Sequence, residues 1–473
     1  MIASKAQIKS ERWSSQFKHL FRQQFVLTRQ SNLSYPGFNQ RALQGWVLHT
    51  GQAMRVAQVY DATGTQVGFL LGVALQDGTF LSGDITVPAS QFDKGFIPEL
   101  DKLVNSMAGR FVLIILGTHI QEIYVDPVCD MPVVFDPAHQ IVGSSVALIL
   151  HRGYQPNKMF NLGKILRGGR TFTLQHTVDS GIFRTLPNHA LDLVSFDTRR
   201  HWPSQDIRFN DTSCDPESIV SQIVDRLGRN FGEIVSNFPC IVPMTGGRDS
   251  RSLIASGHKH LDKVTEFSAF KFHNSSAIDA ARGREIMQQL GFGFKTYGRK
   301  PISQRSLAEF HLKTGYTGIR GEIAAMGAVM QFPKDHVVVR GNIMELLRAN
   351  QWRQRHIDNK FIMTHALRRL KADAELDPHT RTFRTAYRGW RKSLPTEDLT
   401  ERPYDMAFVE FLLPNTQGAF FNGYQNNVFL NPFNDRHLIE LSLRLPVQMR
   451  YDDQIHKKIL AQTRPELLEI PYH

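Results

Sequence analysis

The sequence predicts an α/β protein in two parts, with layered sheets flanked by helices in the first and a parallel sheet with a helical extension in the second. Three observations carry this. At 473 residues the chain is too long for one ordinary hydrophobic core. Its first part holds short runs that are apolar on both faces, as in sheets covered on both sides. After about residue 217, helical periodicity alternates with short apolar runs, which implies crossover units and parallel strands. Hydrophobic residues at 41% and aromatics at 10% supply apolar surface for sizeable cores.

Residues 1–25 are polar and basic, with Lys5, Lys9, Arg12, Lys18 and Arg22 against the one acid Glu11, and read as a solvated surface segment. From residue 45 the pattern becomes β-like. Gly45–Leu48, Val56–Tyr60 and Gly68–Val73 are short runs divided by Asp-Ala-Thr-Gly and Gln-Asp-Gly turns. A polar helix is expected near 96–106. Strands are expected at Gly109–Leu116, Glu122–Pro127, Pro132–Phe135 and Ile141–Ser145, and a strand-rich stretch near 163–175. Residues 201–216, within a polar run that begins at 197 and includes Pro203, Asn210, Asp211, Ser213 and Pro216, read as a linker between residues 1–200 and 217–473.

In the second part a helix is expected at 217–235 and a strand at 239–244. A strand over Val264–Phe270 and a helix over 276–290 follow, the latter with Ala280, Gly283, Met287 and Leu290 on one face. Strand Phe294–Tyr297, helix 302–314 and strand His336–Val339 complete the alternation. Residues 348–392 carry Arg353, Arg355, Arg368, Arg369, Lys371, Arg388, Arg391 and Lys392, and read as helices with a solvated basic face.

Chemistry concentrates where the 239–244 strand runs into Met244-Thr245-Gly246-Gly247-Arg248-Asp249-Ser250-Arg251. A strand, tight loop and helix of this kind aim successive N–H groups and a helix N-terminus at one place, which favours a phosphate. Gly246 and Gly247 allow positive φ and close approach of a ligand. Thr245 and Ser250 offer hydroxyls, Arg248 and Arg251 cationic donors, and Asp249 a carboxylate suited to magnesium. The same residues would also serve an ordinary turn and N-cap.

The net charge of +12 points to an anionic partner. Cys129, Cys214 and Cys240 are well separated, so neither a disulfide framework nor a metal-ligand set is expected, and a reducing cytoplasm fits. No apolar run approaches the ~20 residues of a membrane helix, so no membrane partner is expected.

Thr245-Gly246-Gly247-Arg248-Asp249-Ser250 resembles the Ser-Gly-Gly-x-Asp-Ser pyrophosphate loop of N-type ATP pyrophosphatases. The segments Met107–Ile114, Tyr124–Phe135 and Gly143–Leu148 resemble the Gly-x-Phe strand, Asp-x-x-Gly-x-x-Pro hairpin and Ser-x-x-x-Ala-Leu segment of the glutamine-amidotransferase domain in asparagine synthetases. The chain is thus similar to the asparagine synthetase-like family, which includes β-lactam synthetases and lasso peptide cyclases. The resemblance implies an α/β/β/α amidotransferase-like domain followed by an ATP pyrophosphatase domain.

Position by position the resemblance is incomplete. The chain opens Met1-Ile2-Ala3, without the N-terminal cysteine of an active glutaminase, so a scaffold role is expected for the first part. The family's Ser-Gly-x-Gly-x-Asp-Glu loop corresponds to Arg340-Gly341-Asn342-Ile343-Met344-Glu345, which puts Glu345 at the metal-binding carboxylate and Gly341 beside the nucleotide. Asn342 stands where a Glu or Tyr helps handle the amine's proton. Asn431–Leu438 resembles the Arg-x-Pro-Phe-Leu-Asp segment, with Val428-Phe429-Leu430 in place of Glu-x-Arg. Lys457 and Lys458 are the nearest substitutes for the transition-state lysine.

These matches imply an ATP-dependent, AMP-forming carbon–nitrogen ligase that adenylates a small-molecule or peptide carboxylate and passes it to ammonia or an amine. ATP would use Thr245, Gly246, Gly247, Asp249, Ser250 and Gly341, magnesium would use Asp249 and Glu345, and Arg248 with Lys457 would stabilise charge. The alternative is a catalytically impaired relative acting as a nucleotide-binding or regulatory partner. A nucleic-acid partner is not expected, since scattered cysteines and an amidotransferase-like first part argue against tRNA thiolation. A homodimer is the assembly to look for.

Overall fold

Alternation along the first part pairs its strands into two mainly antiparallel sheets in a computed structural model that describes residues 3–88, 94–205, 207–209, 215–317, 320–357, 361–370, 380–395, 399 and 402–472. One sheet runs Phe183–Arg184, Val134–Asp136, Ile141–Gly143, Phe25–Thr28, Trp46–Thr50, Asn39–Leu43. Its last two strands form a hairpin whose turn residues Gln44 and Gly45 both have positive φ, as a type I′ turn requires. The other runs Thr198–Arg200, His189–Asp192, Gln121–Val125, Met107–Leu116, Gln66–Gln76, Val56–Tyr60, Ile85–Thr86, with Thr79–Phe80 paired to Gln66–Gln76.

The sheets meet through Leu27, Trp46 and Leu48 on one side and Phe69, Val112 and Ile123 on the other. Every residue of Met107–Leu116 is buried, because its second face packs under the Ile97–Ser106 helix through Leu100 and Val104. The outer face of the first sheet is covered by Ala6, Phe17, Phe21 and the short Val146–Ile149 helix.

That packing corrects the reading of residues 1–25 as a solvated segment. Ala6, Phe17, Phe21 and Phe25 are core residues although Ile8 is exposed, and Gln23 is buried where its amide donates to the carbonyls of Gln425 and Asn427. The strand-rich stretch near 163–175 is also corrected. Asn161 caps a Leu162–Leu166 helix, Gly168 and Gly169 close it by bonds to Ile165 and Lys164, and among the described residues no strand pairs with Thr171–Leu174.

In the second part the expected alternation forms a parallel sheet in the order Lys295–Gly298, Glu266–Lys271, Cys240–Pro243, Val337–Val339, Val428–Leu430. The helix Pro216–Asn237 begins at an Asp215 N-cap and supplies Ile219, Ile223, Leu227 and Phe231 to the core. Asn274–Gln289 and Gln304–Lys313 are the other two expected helices. The basic stretch holds helices Gln354–Ile357, Met363–Arg369 and Thr380–Lys392; Lys371 lies outside the described residues. Pro403–Phe421 is helical throughout and includes π-helical turns at Phe408–Leu412 and Pro414–Gly418.

The expected linker is no free tether. Trp202 and Phe209 are buried in one core with Val73, Ala108, Ile223 and Phe433, so both parts of the chain share hydrophobic surface. The 431–438 segment adds polar contacts. Asn434 donates to the Gly109 carbonyl at 2.6 Å and Asp126 at 2.8 Å, and buried Arg436 donates to the carbonyls of Val104 and Val125. Cys129 and Cys240 are buried free thiols, while Cys214 lies outside the described residues. Among the described residues no helix is long and apolar enough to cross a membrane.

Candidate functional site

The strand Cys240–Pro243 is central in the parallel sheet, so the loop that follows it opens at the carboxyl edge between neighbouring strands, where such sheets bind ligands. Packing fixes its approach. A Cβ on Gly283 would lie 2.9 Å from the Met244 carbonyl, so glycine lets the Asn274–Gln289 helix lie directly against the loop's base. The loop then ties itself together. Thr245 and Ser250 hydroxyls are 2.9 Å apart, Ser250 Oγ accepts from the Thr245 N–H at 3.3 Å, and Thr245 Oγ1 accepts from the Gly247 N–H at 3.2 Å.

Gly247 is the N-cap of the Arg248–Ser256 helix at φ −75°, ψ 170°, and provides no side-chain cap. The first-turn N–H groups therefore remain available to an anion. Neither Gly246 nor Gly247 has positive φ, contrary to expectation. Glycine serves here by lacking a side chain over the helix N-terminus.

Arg251 also departs from the sequence reading. It is buried and turned away from the loop mouth, donating to the carbonyls of Leu467, Ile470, Gly246 and Pro471. The chain's last described residues are thereby fastened beneath the loop. Tyr472 lies between Arg251 and Arg248, whose guanidinium carbons are 4.3 and 4.6 Å from its ring centre. Arg248 remains half-exposed, with Nε 2.5 Å from Asp453 Oδ2.

The second loop leaves the adjacent strand Val337–Val339. Gly341 packs against the helix start, where an added Cβ would fall 3.3 Å from the Asp249 carbonyl and 3.4 Å from the Ser250 nitrogen. Ile343 has φ +72°, an outlier for a β-branched residue, and is fully buried. The bend leads into the 3-10 turn Met344–Arg348 and brings Glu345 near Asp249.

Glu345 is half-buried, but its Oε2 is shielded from solvent and has no hydrogen-bond partner among the described residues. Burial of the carboxyl group, reinforced by the Asp249 charge and opposed by Arg348, pushes its pKa up to about 7. Asp249 receives Arg348 in a fork, Nε to Oδ1 at 3.1 Å and Nη2 to Oδ2 at 3.0 Å. His456 Nε2 lies 3.4 Å from Asp249 Oδ1, and its Nδ1 is 2.8 Å from Ser252 Oγ. Burial holds the His456 pKa below the ordinary histidine value, despite the nearby carboxylates of Asp249 and Asp453.

A cavity of about 280 Å³ opens from Asn342 and Glu345, with Asn350, Gln351, Arg369, Thr416 and Gln417 among its polar walls. Phe408, Leu412 and Phe420 supply the apolar side, from the segment containing the π-helical turns. Such turns shift side-chain register within a helix and recur at binding sites.

Thr245, Gly246, Gly247, Asp249, Ser250, Gly341 and Glu345 thus gather around two neighbouring loops. Lys457 does not join them; it is exposed on the Gln454–Thr463 helix, while adjacent His456 takes the inward position. Lys458 is ion-paired with Glu217. Val428-Phe429-Leu430 forms the edge strand of the parallel sheet. Sequence reasoning missed Arg348, His456 and Asp453. Arg348 had a usable signal, since a cation three residues past Glu345 lies one 3-10 turn away.

Among the described residues, no group of three or more His, Cys, Asp or Glu side chains forms a metal cluster. Magnesium at phosphates needs only one or two carboxylates, the phosphates and water completing its shell. The unpartnered Glu345 oxygen beside Asp249 fits that requirement, with Arg348 as the present counter-cation. A scan against protein-family models finds no match to this chain, and a search of curated proteins finds none either.

Proposed function

We propose that the chain is an ATP-dependent, AMP-forming amide ligase of the asparagine synthetase-like kind, its first part an amidotransferase-like scaffold and its second an ATP pyrophosphatase domain. One observation carries the reading: a glycine-capped helix start and a carboxylate with an unpartnered oxygen share the carboxyl edge of a parallel sheet, beside a polar cavity. The first-turn N–H groups and the Thr245 and Ser250 hydroxyls hold phosphate oxygens. Asp249 and Glu345 would hold magnesium, which would neutralise charge on the phosphates. The substrate carboxylate sits in the 280 Å³ cavity. Its oxygen attacks the α-phosphorus, and the bond to pyrophosphate breaks, leaving an acyl-adenylate. Ammonia or an amine then attacks the acyl carbon, and AMP departs as the nitrogen gives up a proton to solvent water. Asn342 can orient the amine through its amide but cannot accept that proton.

The test is ATP–pyrophosphate exchange across a panel of carboxylic acids. Exchange should appear with an accepted acid and vanish in Asp249→Ala; exchange unchanged by that substitution would refute the site. The bidentate Arg348 grip on Asp249 favours a second reading, a nucleotide-binding or regulatory partner in which the metal position is internally neutralised. Calorimetry with ATP and magnesium, run beside a mass-spectrometric search for AMP, separates the two. Binding without AMP for any acid supports the partner role.

A further inference from the structure

Beyond the 280 Å³ cavity lies a second one of about 210 Å³, whose described lining is Arg353, Arg355, Arg368, Arg369 and His365. Every one of these side chains is basic. Among the described residues no carboxylate lies within ion-pair distance of Arg353, Arg355 or Arg369. Arg369 instead donates from Nε to Gln351 Oε1 at 2.9 Å and from Nη2 to the Asn350 carbonyl. Arg369 also lines the larger cavity, beside Asn350 and Gln351, so its side chain stands between the two. Burial, followed by the charges of Arg353 and Arg348, lowers the Arg369 pKa, and arginines likewise contribute to depressing His356 and His365. Cations packed against cations are relieved by an anion of more than one charge. Guanidinium forks match the terminal oxygens of a phosphoryl group, which carries about −1.5 to −2 near neutral pH.

We infer that the arginine-walled cavity binds the phosphoryl dianion of a substrate whose other end is the carboxylate activated beside Glu345. The link to that carboxylate rests on the ligase reading; the phosphate site itself does not. It follows that the accepted acids are phosphorylated ones, and that the exposed arginines select substrate at a distance from the reacting atoms.

Inorganic phosphate is the probe, titrated calorimetrically into the full chain, an Arg353→Gln/Arg355→Gln variant and Gly247→Asp. The last puts a carboxylate at the helix N-terminus, where an added Cβ meets only Thr245 Oγ1 at 3.2 Å. The double variant should weaken phosphate binding at least tenfold with an unchanged melting temperature, while Gly247→Asp retains the arginine-cavity binding. Wild-type affinity in the double variant, or loss in Gly247→Asp alone, overturns the assignment. So does acetate displacing phosphate at equal concentration, because a single carboxylate would then suffice. Phosphate binding that depends on Arg353 and Arg355 in a protein without ATP–pyrophosphate exchange keeps this site and rejects the ligase. Exchange without such binding does the reverse.

Discussion

Glu410 is the clearest place to test how the two parts of the chain are coupled, because a buried carboxylate from the π-helical segment reaches an arginine of the first part. Its oxygens take Arg200 Nη1 at 2.5 Å and Nη2 at 2.9 Å, Asn188 Nδ2 at 3.1 Å and Trp390 Nε1 at 2.7 Å. Glu410→Gln preserves shape but removes the charge opposite Arg200 and turns an NH₂ toward at least one N–H donor. Breaking a buried pair from one side costs about 3–5 kcal/mol. Because the amide still accepts some of these bonds, we expect a loss of about 3–4 kcal/mol, measured by urea unfolding followed through tryptophan fluorescence and circular dichroism. A cycle with Arg200→Gln should show coupling of at least ~2 kcal/mol. A loss below ~1 kcal/mol, or additive single variants, would refute the argument. The pH dependence has a defined sign. Burial raises the Glu410 pKa, but Arg200 and the hydrogen bonds outweigh it and hold the group below its ordinary 4.5. The stabilisation is therefore fully present above about 4.5 and lost as pH falls through the folded-state value. The wild-type advantage over Glu410→Gln should shrink in that acid range.

Two further changes probe the joint between the parts and the site itself. Gly418→Ala would put a Cβ 2.0 Å from the Cys129 carbonyl oxygen, so we expect destabilisation of about 3 kcal/mol or more in the same urea assay; a loss under ~1 kcal/mol would mean the two backbones separate easily. Arg348→Gln removes the cation gripping Asp249, and the magnesium concentration giving half-maximal ATP binding should fall several-fold by calorimetry. An unchanged value would argue against Asp249 as the metal ligand.

The second part of the fold was legible where period and punctuation agreed. Four strands and three helices of the parallel-sheet unit form within a few residues of their expected places, and the Gly246-Gly247 loop falls between strand and helix as read. The fifth strand, Val428–Leu430, was hidden because three residues carry no period and its partner Val337–Val339 lies far back along the chain. Thr171–Leu174 failed in the opposite way. Its Thr-Phe alternation suits a pleat, yet no partner strand meets it among the described residues, and Phe172 reaches the core from irregular backbone. The patterns that Asp126–Pro132 and Gly341–Leu346 resemble place glycine at the positions of Cys129 and Ile343. Those residues have φ +55° and +72°, so both bends form here on residues less suited to positive φ than glycine. His456 was illegible for a different reason: nothing local distinguishes the inward residue from exposed Lys457 until the helix is docked.

The charges around the two loops indicate what nucleotide binding would require of them. Arg348 grips Asp249, Arg248 holds Asp453, and Glu345 has a pKa pushed to about 7, so its charge is only partly developed near neutral pH. The site is close to self-neutralised, and an incoming polyphosphate gains little from arginines already satisfied by carboxylates. On the ligase reading, Asp249 and Glu345 would hold magnesium, and Arg348 would turn from Asp249 to the phosphates. Asp453 does not limit the exchange in the same way, because its pair with Arg248 lies at the half-exposed loop mouth. Nucleotide affinity should then depend on magnesium beyond simple neutralisation of ATP, since holding the ion would require Arg348 to leave Asp249. Ile343 makes that response local: its buried side chain and positive-φ backbone fix the bend that presents Glu345, and strain of about 1–3 kcal/mol persists only where surrounding packing holds it. The carboxylate is thus set by the strained loop, while Arg348, at the far end of the same turn, is the group free to change partners.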